Sequence, residues 1–175
     1  MDFRIPFGVR GHKYTEEEIA TTVSVMHGEA PLTQGACLHE FESRFRRYAG
    51  VEHAFAVSSA TAALEITAQL CQFEAGDEVI IPAHTYTSSA YPFVKAGATP
   101  VWADIDPDTR VVTAETISAC ISSRTRAVVV PHLYGYGVDM TPIMALAEER
   151  QIIVIEDAAQ AVGVRIDGRM AGTVG

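Results

Sequence analysis

Lysine is nearly absent from this chain: of 175 residues, only Lys13 and Lys95 carry an ε-amine. Lysine and arginine together number 13 against 22 aspartates and glutamates, a formal net charge of −9. That balance opposes docking on a polyanion and disfavours anionic lipid, so neither nucleic acid nor a membrane surface is expected as a partner. Cysteine is also scarce. Cys37, Cys71 and Cys120 are odd in number and widely spaced, which fits a reducing compartment better than a disulfide framework. No stretch approaches the roughly 18 apolar residues of a membrane span, and the charged N-terminus has no apolar signal core, so a cytoplasmic protein is expected. Neither G-x-G-x-x-G nor a glycine-lysine P-loop ending occurs, leaving NAD and ATP unsupported. H-E-x-x-H, paired cysteines and G-x-S-x-G are missing as well, so no metal site and no nucleophile elbow is expected.

Short apolar runs alternating with longer helical segments fill the chain from residue 53 onward. Strands are expected at His53 to Val57, Glu78 to Pro82, Thr99 to Asp104, Arg126 to Val130 and Ile152 to Ile155. Helices are expected at Ala60 to Leu70, Ser88 to Ala96, Thr113 to Ile121 and Pro142 to Glu149. This alternation predicts an α/β fold, a three-layer αβα arrangement on a mostly parallel sheet. Residues 1–50 differ: Thr15 precedes three acids in a favourable helix start, and Leu38, Phe41, Phe45 and Tyr48 form an apolar stripe at helical spacing. We therefore expect an N-terminal helical segment, residues 1–50, packing on a larger unit, residues 51–175. Asp167-Gly168 between alternating residues predicts a hairpin turn.

Chemistry-bearing residues gather where strands end. Ser58-Ser-Ala-Thr61 opens a helix with small residues, leaving backbone N–H groups accessible and two hydroxyls nearby, as in a phosphate cradle or an ordinary serine cap. His84 and Tyr86 follow the second strand, where Tyr86 could cover a flat ligand or simply pack. Pro131-His-Leu-Tyr-Gly-Tyr-Gly137 is rich in rings and glycines, a composition suited to a loop held against a ligand. Asp157 ends the last apolar run, where open α/β sheets bind ligands; it reads as a partner for a cationic ring nitrogen or as a turn cap.

Taken together, these junctions resemble the DegT/DnrJ/EryC1/StrS family of pyridoxal 5'-phosphate (PLP)-dependent sugar aminotransferases, in their N-terminal part. The resemblance is carried by Leu32-Thr-Gln-Gly35 with Phe41-Glu42, Ser58 to Leu64, Pro82 to Thr87, Asp104 to Asp108, His132-Leu-Tyr-Gly135 and Glu156-Asp-Ala-Ala-Gln160. It implies the large-domain fold of the aspartate aminotransferase superfamily (fold type I) and PLP as cofactor. The activity implied is transfer of an amino group from glutamate or glutamine to a nucleotide-linked keto-sugar, in a homodimeric parent enzyme. Residue by residue, it gives Ala60 and Thr61 to the cofactor phosphate, Tyr86 to the ring face, Asp157 to the ring nitrogen and Gln160 to the cofactor's edge. Asp157 and His132 are the expected catalytic residues, with His132 adjoining the pocket. The family more often has glycine at the position of Ala60 and asparagine near Ser58.

The Schiff-base lysine of that chemistry has no counterpart here. In the family it follows the acidic strand by a further strand and a serine-containing stretch, beyond Gly175 on this mapping. The chain is therefore expected to lack turnover, and a partial sequence, an early stop and a split gene fit equally. A PLP-dependent sugar dehydratase of the same family and a non-catalytic αβα module or remnant remain as alternatives. The mapping also predicts that the strand at His53 to Val57 lacks its sheet neighbours, and that nothing fixes the Thr61 cradle relative to Asp157.

Overall fold

The computed structural model describes residues 14–29 and 33–175. Lys13, Pro31 and Leu32 lie outside the described residues. Chain contacts define two compact units, Met1–Arg44 and Phe45–Gly175.

In the first unit, Glu16–His27 forms helix α1. The Thr15 side chain accepts from the Glu18 backbone N–H at 3.2 Å, while the Glu18 carboxylate accepts from the Thr15 backbone N–H at 2.6 Å. This reciprocal cap satisfies two helix-end donors and places three acids at the positive end of the helix dipole. Helix α2, Ala36–Ala49, continues into the second unit and closes on Gly50 at φ 75°, a conformation glycine adopts without a Cβ penalty.

Helix α3 (Ala60–Leu70), strand β1 (Glu78–Pro82), helix α4 (Tyr91–Lys95), strand β2 (Thr99–Ala103), helix α5 (Ala114–Ser118), strand β3 (Thr125–Pro131), helix α6 (Met140–Arg150) and strand β4 (Ile153–Asp157) then follow. The four strands form one parallel sheet in the order β2-β1-β3-β4. Successive side chains on a strand face opposite ways, and the core divides accordingly. Val79, Ile81, Ala127, Val129 and Ile155 pack with Leu64 and Ala68 of α3 and Phe93 of α4. Ile80, Val128 and Val130 pack with Ile117 of α5 and with Ile143 and Ala147 of α6. Both faces are covered, which is why β1 and β3 read as near-continuous apolar runs. A two-residue hairpin, β5 (Arg165–Ile166) and β6 (Arg169–Met170), turns through Asp167 and Gly168, both at positive φ, as an Asp-Gly turn requires.

One expected strand is missing. Among the described residues, 53–57 are assigned to neither sheet, and Phe55 and Val57 are 81% and 43% exposed. An apolar run records readiness to pair, whereas a strand also needs a neighbour in register, which is set by residues elsewhere in the chain. The helix expected over Ser88 to Ala96 is split into a 3-10 turn, Thr87–Ser89, and the short α4 with Pro92 in its first turn.

Phe93 is fully buried and meets Phe73 edge-on at 6.3 Å between ring centres. Phe93→Ala should lower the unfolding free energy by about 3–5 kcal/mol through lost burial and the cavity left behind. Leu70→Ala, at a position 77% exposed, should change it by less than about 0.5 kcal/mol. Denaturant unfolding of both variants checks this, and equal effects would contradict the core assignment.

Candidate active site

An open cavity of about 200 Å³ lies at the C-terminal ends of β1, β3 and β4. Ala60, Thr61, Tyr86, His132, Asp157 and Gln160, separated in sequence by up to a hundred residues, all line it. At one end α3 begins. Its cap, Ser59, accepts from the Ala62 N–H at 3.1 Å, which leaves the N–H groups of Ala60 and Thr61 without a helical acceptor and facing the end where the dipole favours an anion. At the other end stands Asp157. One of its oxygens accepts from the Ala159 N–H at 3.2 Å, so the turn cap expected from sequence is present; the other accepts from the Ser89 hydroxyl at 2.7 Å. A carboxylate offers about four lone-pair directions, so two donors leave Asp157 with capacity toward the cavity.

Between these ends, Tyr86 is 65% exposed with its ring at the cavity wall. The side-chain oxygen of Gln160 accepts from the Tyr134 backbone N–H at 2.7 Å. That bond demands the oxygen, so the amide's N–H groups are the part of Gln160 left for a ligand. Tyr134 sits in the left-handed region at φ 55°, its ring 71% exposed and 6.2 Å from that of His84.

His132 is wholly buried, and both ring nitrogens are engaged. Nδ1 accepts from the Val138 N–H at 3.1 Å and Nε2 lies 2.8 Å from a Glu156 oxygen. A backbone donor on Nδ1 leaves Nε2 as the nitrogen that donates toward Glu156. Neither nitrogen is left to exchange a proton with a ligand, so a supporting role fits this residue better than the catalytic role expected from sequence.

Glu156 is a residue the sequence reading passed over. Its side chain is 3% exposed. One oxygen accepts from His132 Nε2 and from the Gly172 N–H at 2.8 Å; the other accepts from the N–H groups of Val174 and Gly175 at 2.6 and 2.7 Å. Burial works to raise this carboxyl, but the His132 bond and the three backbone donors outweigh it and hold it at about 2, below its ordinary 4.5. The period-2 rule carried the missed signal: adjacent carboxylates at a strand end face opposite sides of the sheet, so only one of them can serve a given pocket.

Ser88 and Ser89 were passed over too. The Thr61 hydroxyl donates to Ser88 Oγ at 2.9 Å, and Thr85 donates to Ser89 Oγ at 2.9 Å. The anion end and the carboxylate end are thus tied through one turn, contrary to the expectation that nothing fixes their separation. Lys95 is elsewhere: it is 58% exposed, its Nζ 3.0 Å from Glu65, and it does not line the cavity. Among the described residues no group of side chains is arranged to hold a metal ion, and no helix is long and apolar enough to cross a membrane.

This arrangement of sheet, helices and strand-end cavity is that of the large domain of a fold type I PLP-dependent transferase, incompletely represented. Residues 13–175 match the DegT/DnrJ/EryC1/StrS aminotransferase family, and the chain belongs to it. GDP-perosamine synthase of Caulobacter vibrioides is 43% identical over 141 residues, which cover 81% of this chain and 38% of that protein. An aminotransferase from Psychrobacter cryohalolentis superposes with a TM-score of 0.86 at 35% identity, covering 94% of this chain and 42% of that one. DesV of S. venezuelae, solved with a ketimine intermediate, gives 0.83 at 35% identity, over 90% and 43%. The chain thus spans less than half the length of these relatives.

Because folding lowers the Glu156 carboxyl, its contribution is fully present above the unfolded value near 4.5 and is lost as pH falls through about 2. The shift corresponds to about 3 kcal/mol at neutral pH. Glu156→Gln would set an NH2 group against N–H donors in either amide orientation. We expect a variant less stable at pH 7 that lacks this part of the acid sensitivity. Unfolding curves between pH 7 and 2 with the same slope in both proteins would show that Glu156 does not carry it.

Proposed function

We propose that residues 51–175 are the cofactor-binding part of a PLP-dependent aminotransferase that moves an amino group from glutamate or glutamine to a nucleotide-linked keto-sugar. The observation that carries the proposal is the convergence, in one strand-end cavity, of a helix N-terminus with uncommitted N–H groups, an exposed tyrosine ring and a carboxylate with spare acceptor capacity. Support for the cofactor comes from a Streptococcus pneumoniae relative, 29% identical, that has been solved in a PLP form. The nucleotide-sugar class is supported by the likeness to a GDP-perosamine synthase.

The residues present suit such a cofactor at each end. The N–H groups of Ala60 and Thr61 and the Thr61 hydroxyl would bind the phosphate, with the helix dipole adding to the attraction. The Tyr86 ring would cover one face of the pyridine. Asp157 would hold a proton on the ring nitrogen, since a nearby carboxylate favours the cationic form. Gln160 would donate an N–H to an oxygen on the ring's edge, its own oxygen being held by Tyr134. When bound, the cofactor supplies an electron sink for the charge that develops as a substrate C–H bond is broken. His132 would act by position, fixing the β3 loop beside Asp157, whose backbone oxygen accepts the His132 N–H at 3.0 Å.

Pyridoxine 5'-phosphate, which has an alcohol where PLP has its aldehyde, tests this without requiring a lysine. It should bind the chain saturably, and Asp157→Asn should weaken binding about 10- to 150-fold, the weight of a hydrogen bond to a charged group. PLP followed by borohydride should label no single dominant site, since Lys95 lies outside the cavity and its bond to Glu65 raises its pKa and keeps the amine protonated. Absence of saturable binding up to millimolar ligand, or stoichiometric label on Lys95, would overturn the proposal.

A further inference from the structure

The two polar ends of the cavity belong to elements far apart in sequence, and one short segment reaches both. Ser88 Oγ is 2.9 Å from Thr61 Oγ1 at the start of α3; Ser89 Oγ is 2.7 Å from the Asp157 carboxylate at the end of β4. Both serines belong to the 3-10 turn Thr87–Ser89, where three residues complete a revolution, so neighbouring side chains diverge by about 120° and reach in different directions. Tyr86 leads directly into this turn and its carbonyl accepts the Ser89 N–H at 2.9 Å.

We propose that Ser88 and Ser89 are positioning residues that act as one spacer, setting the separation between the anion-binding end and the ring-nitrogen end of the cavity. The inference rests on the cofactor reading above and adds to it the device that fixes the cofactor's length.

Hydroxyl bookkeeping supports the assignment. Ser89 is fully buried and carries a single proton. With that proton on Asp157, its oxygen accepts the Thr85 hydroxyl at 2.9 Å, so the chain runs Thr85 to Ser89 to Asp157 with no donor left over. A buried hydroxyl without such partners would be costly. At the other end the Thr61–Ser88 pair holds two protons. One closes the bond between the two oxygens, and the second is available to a phosphate oxygen whichever way the pair is oriented. The turn therefore commits a donor to the carboxylate and keeps one for the anion.

The test compares pyridoxine 5'-phosphate, which spans both ends, with pyridoxine, which has the ring end alone, on the full 175-residue chain. Ser88→Ala should weaken the phosphorylated ligand roughly three- to tenfold and leave pyridoxine within about twofold, the scale of one net hydrogen bond. Thr85→Val, which keeps shape and removes the relay's first hydroxyl, should weaken both ligands, and Thr85→Ser should restore them. Because a spacer needs both anchors, the combined Ser88→Ala/Thr85→Val variant should lose less than the product of the single losses. Losses that simply multiply would mean two independent contacts and would overturn the inference, as would unaltered binding in both single variants. A Thr85→Val loss accompanied by a lower unfolding midpoint and shared by Thr85→Ser would assign the effect to packing and overturn it too. Failure of the unsubstituted chain to bind pyridoxine 5'-phosphate at all would remove the cofactor reading itself, a separate outcome.

Discussion

Two carboxylates, adjacent in sequence at the end of β4, face opposite sides of the sheet, and the cavity depends on their different fates. Glu156 receives four donors and is almost fully enclosed. Asp157 receives two and lines the cavity. A carboxylate whose acceptor sites are filled has nothing left for a ligand, and one that is half filled does. The same chemical group thus does structural work on one face and offers binding capacity on the other, with strand geometry deciding which is which.

The saturated member holds more than itself. Through His132 Nε2 it fixes an imidazole whose other nitrogen is already committed to the Val138 N–H, and through Gly172, Val174 and Gly175 it gathers the segment after the hairpin. Gly172 is suited to this place, since a Cβ there would come within 2.8 Å of the Ala158 Cβ and its φ of 86° disfavours any side chain. Burying an anion is costly unless its partners are all in place. Here the His132 bond and three backbone donors outweigh burial and hold the carboxyl below its ordinary range. The strand-end loop of β3 and the turn after β4 are therefore held by a charge that faces away from the cavity they form.

Much of this fold was legible because it rests on local periodicity. The apolar runs of β1 and β3 announce strands buried on both faces, Thr15 with Glu18 announces a helix start, and Asp167-Gly168 announces a hairpin. The segment 53–57 failed for the complementary reason: pairing is a non-local property, and the run His53 to Val57 says nothing of whether an edge is free to receive it. At the site, the residues that face the cavity were readable as exceptions to the apolar pattern at strand ends. Those that hold them were not. Ser89 and Glu156 lie in stretches with innocuous turn or acidic composition, and their weight comes from partners 68 and 18 residues away. A hydroxyl's importance is set by what it meets, which spacing alone does not encode.

Gln160 shows how far such a remote constraint reaches. Its side chain has two chemically opposite ends, and sequence cannot say which faces a ligand. The answer comes from Tyr134, a non-glycine residue held at φ 55°, ψ 17°, a conformation that costs on the order of 1 kcal/mol and persists only where the surroundings demand it. The short 3-10 turn Leu133–Gly135 directs the Tyr134 N–H to the Gln160 oxygen, and a satisfied charge-free hydrogen bond of about 1 kcal/mol is enough to offset the strain. Backbone strain in one loop thus fixes the polarity of an amide on another. The cavity wall presents N–H donors at Gln160 because a tyrosine 26 residues earlier in the chain is bent into a shape it would otherwise avoid.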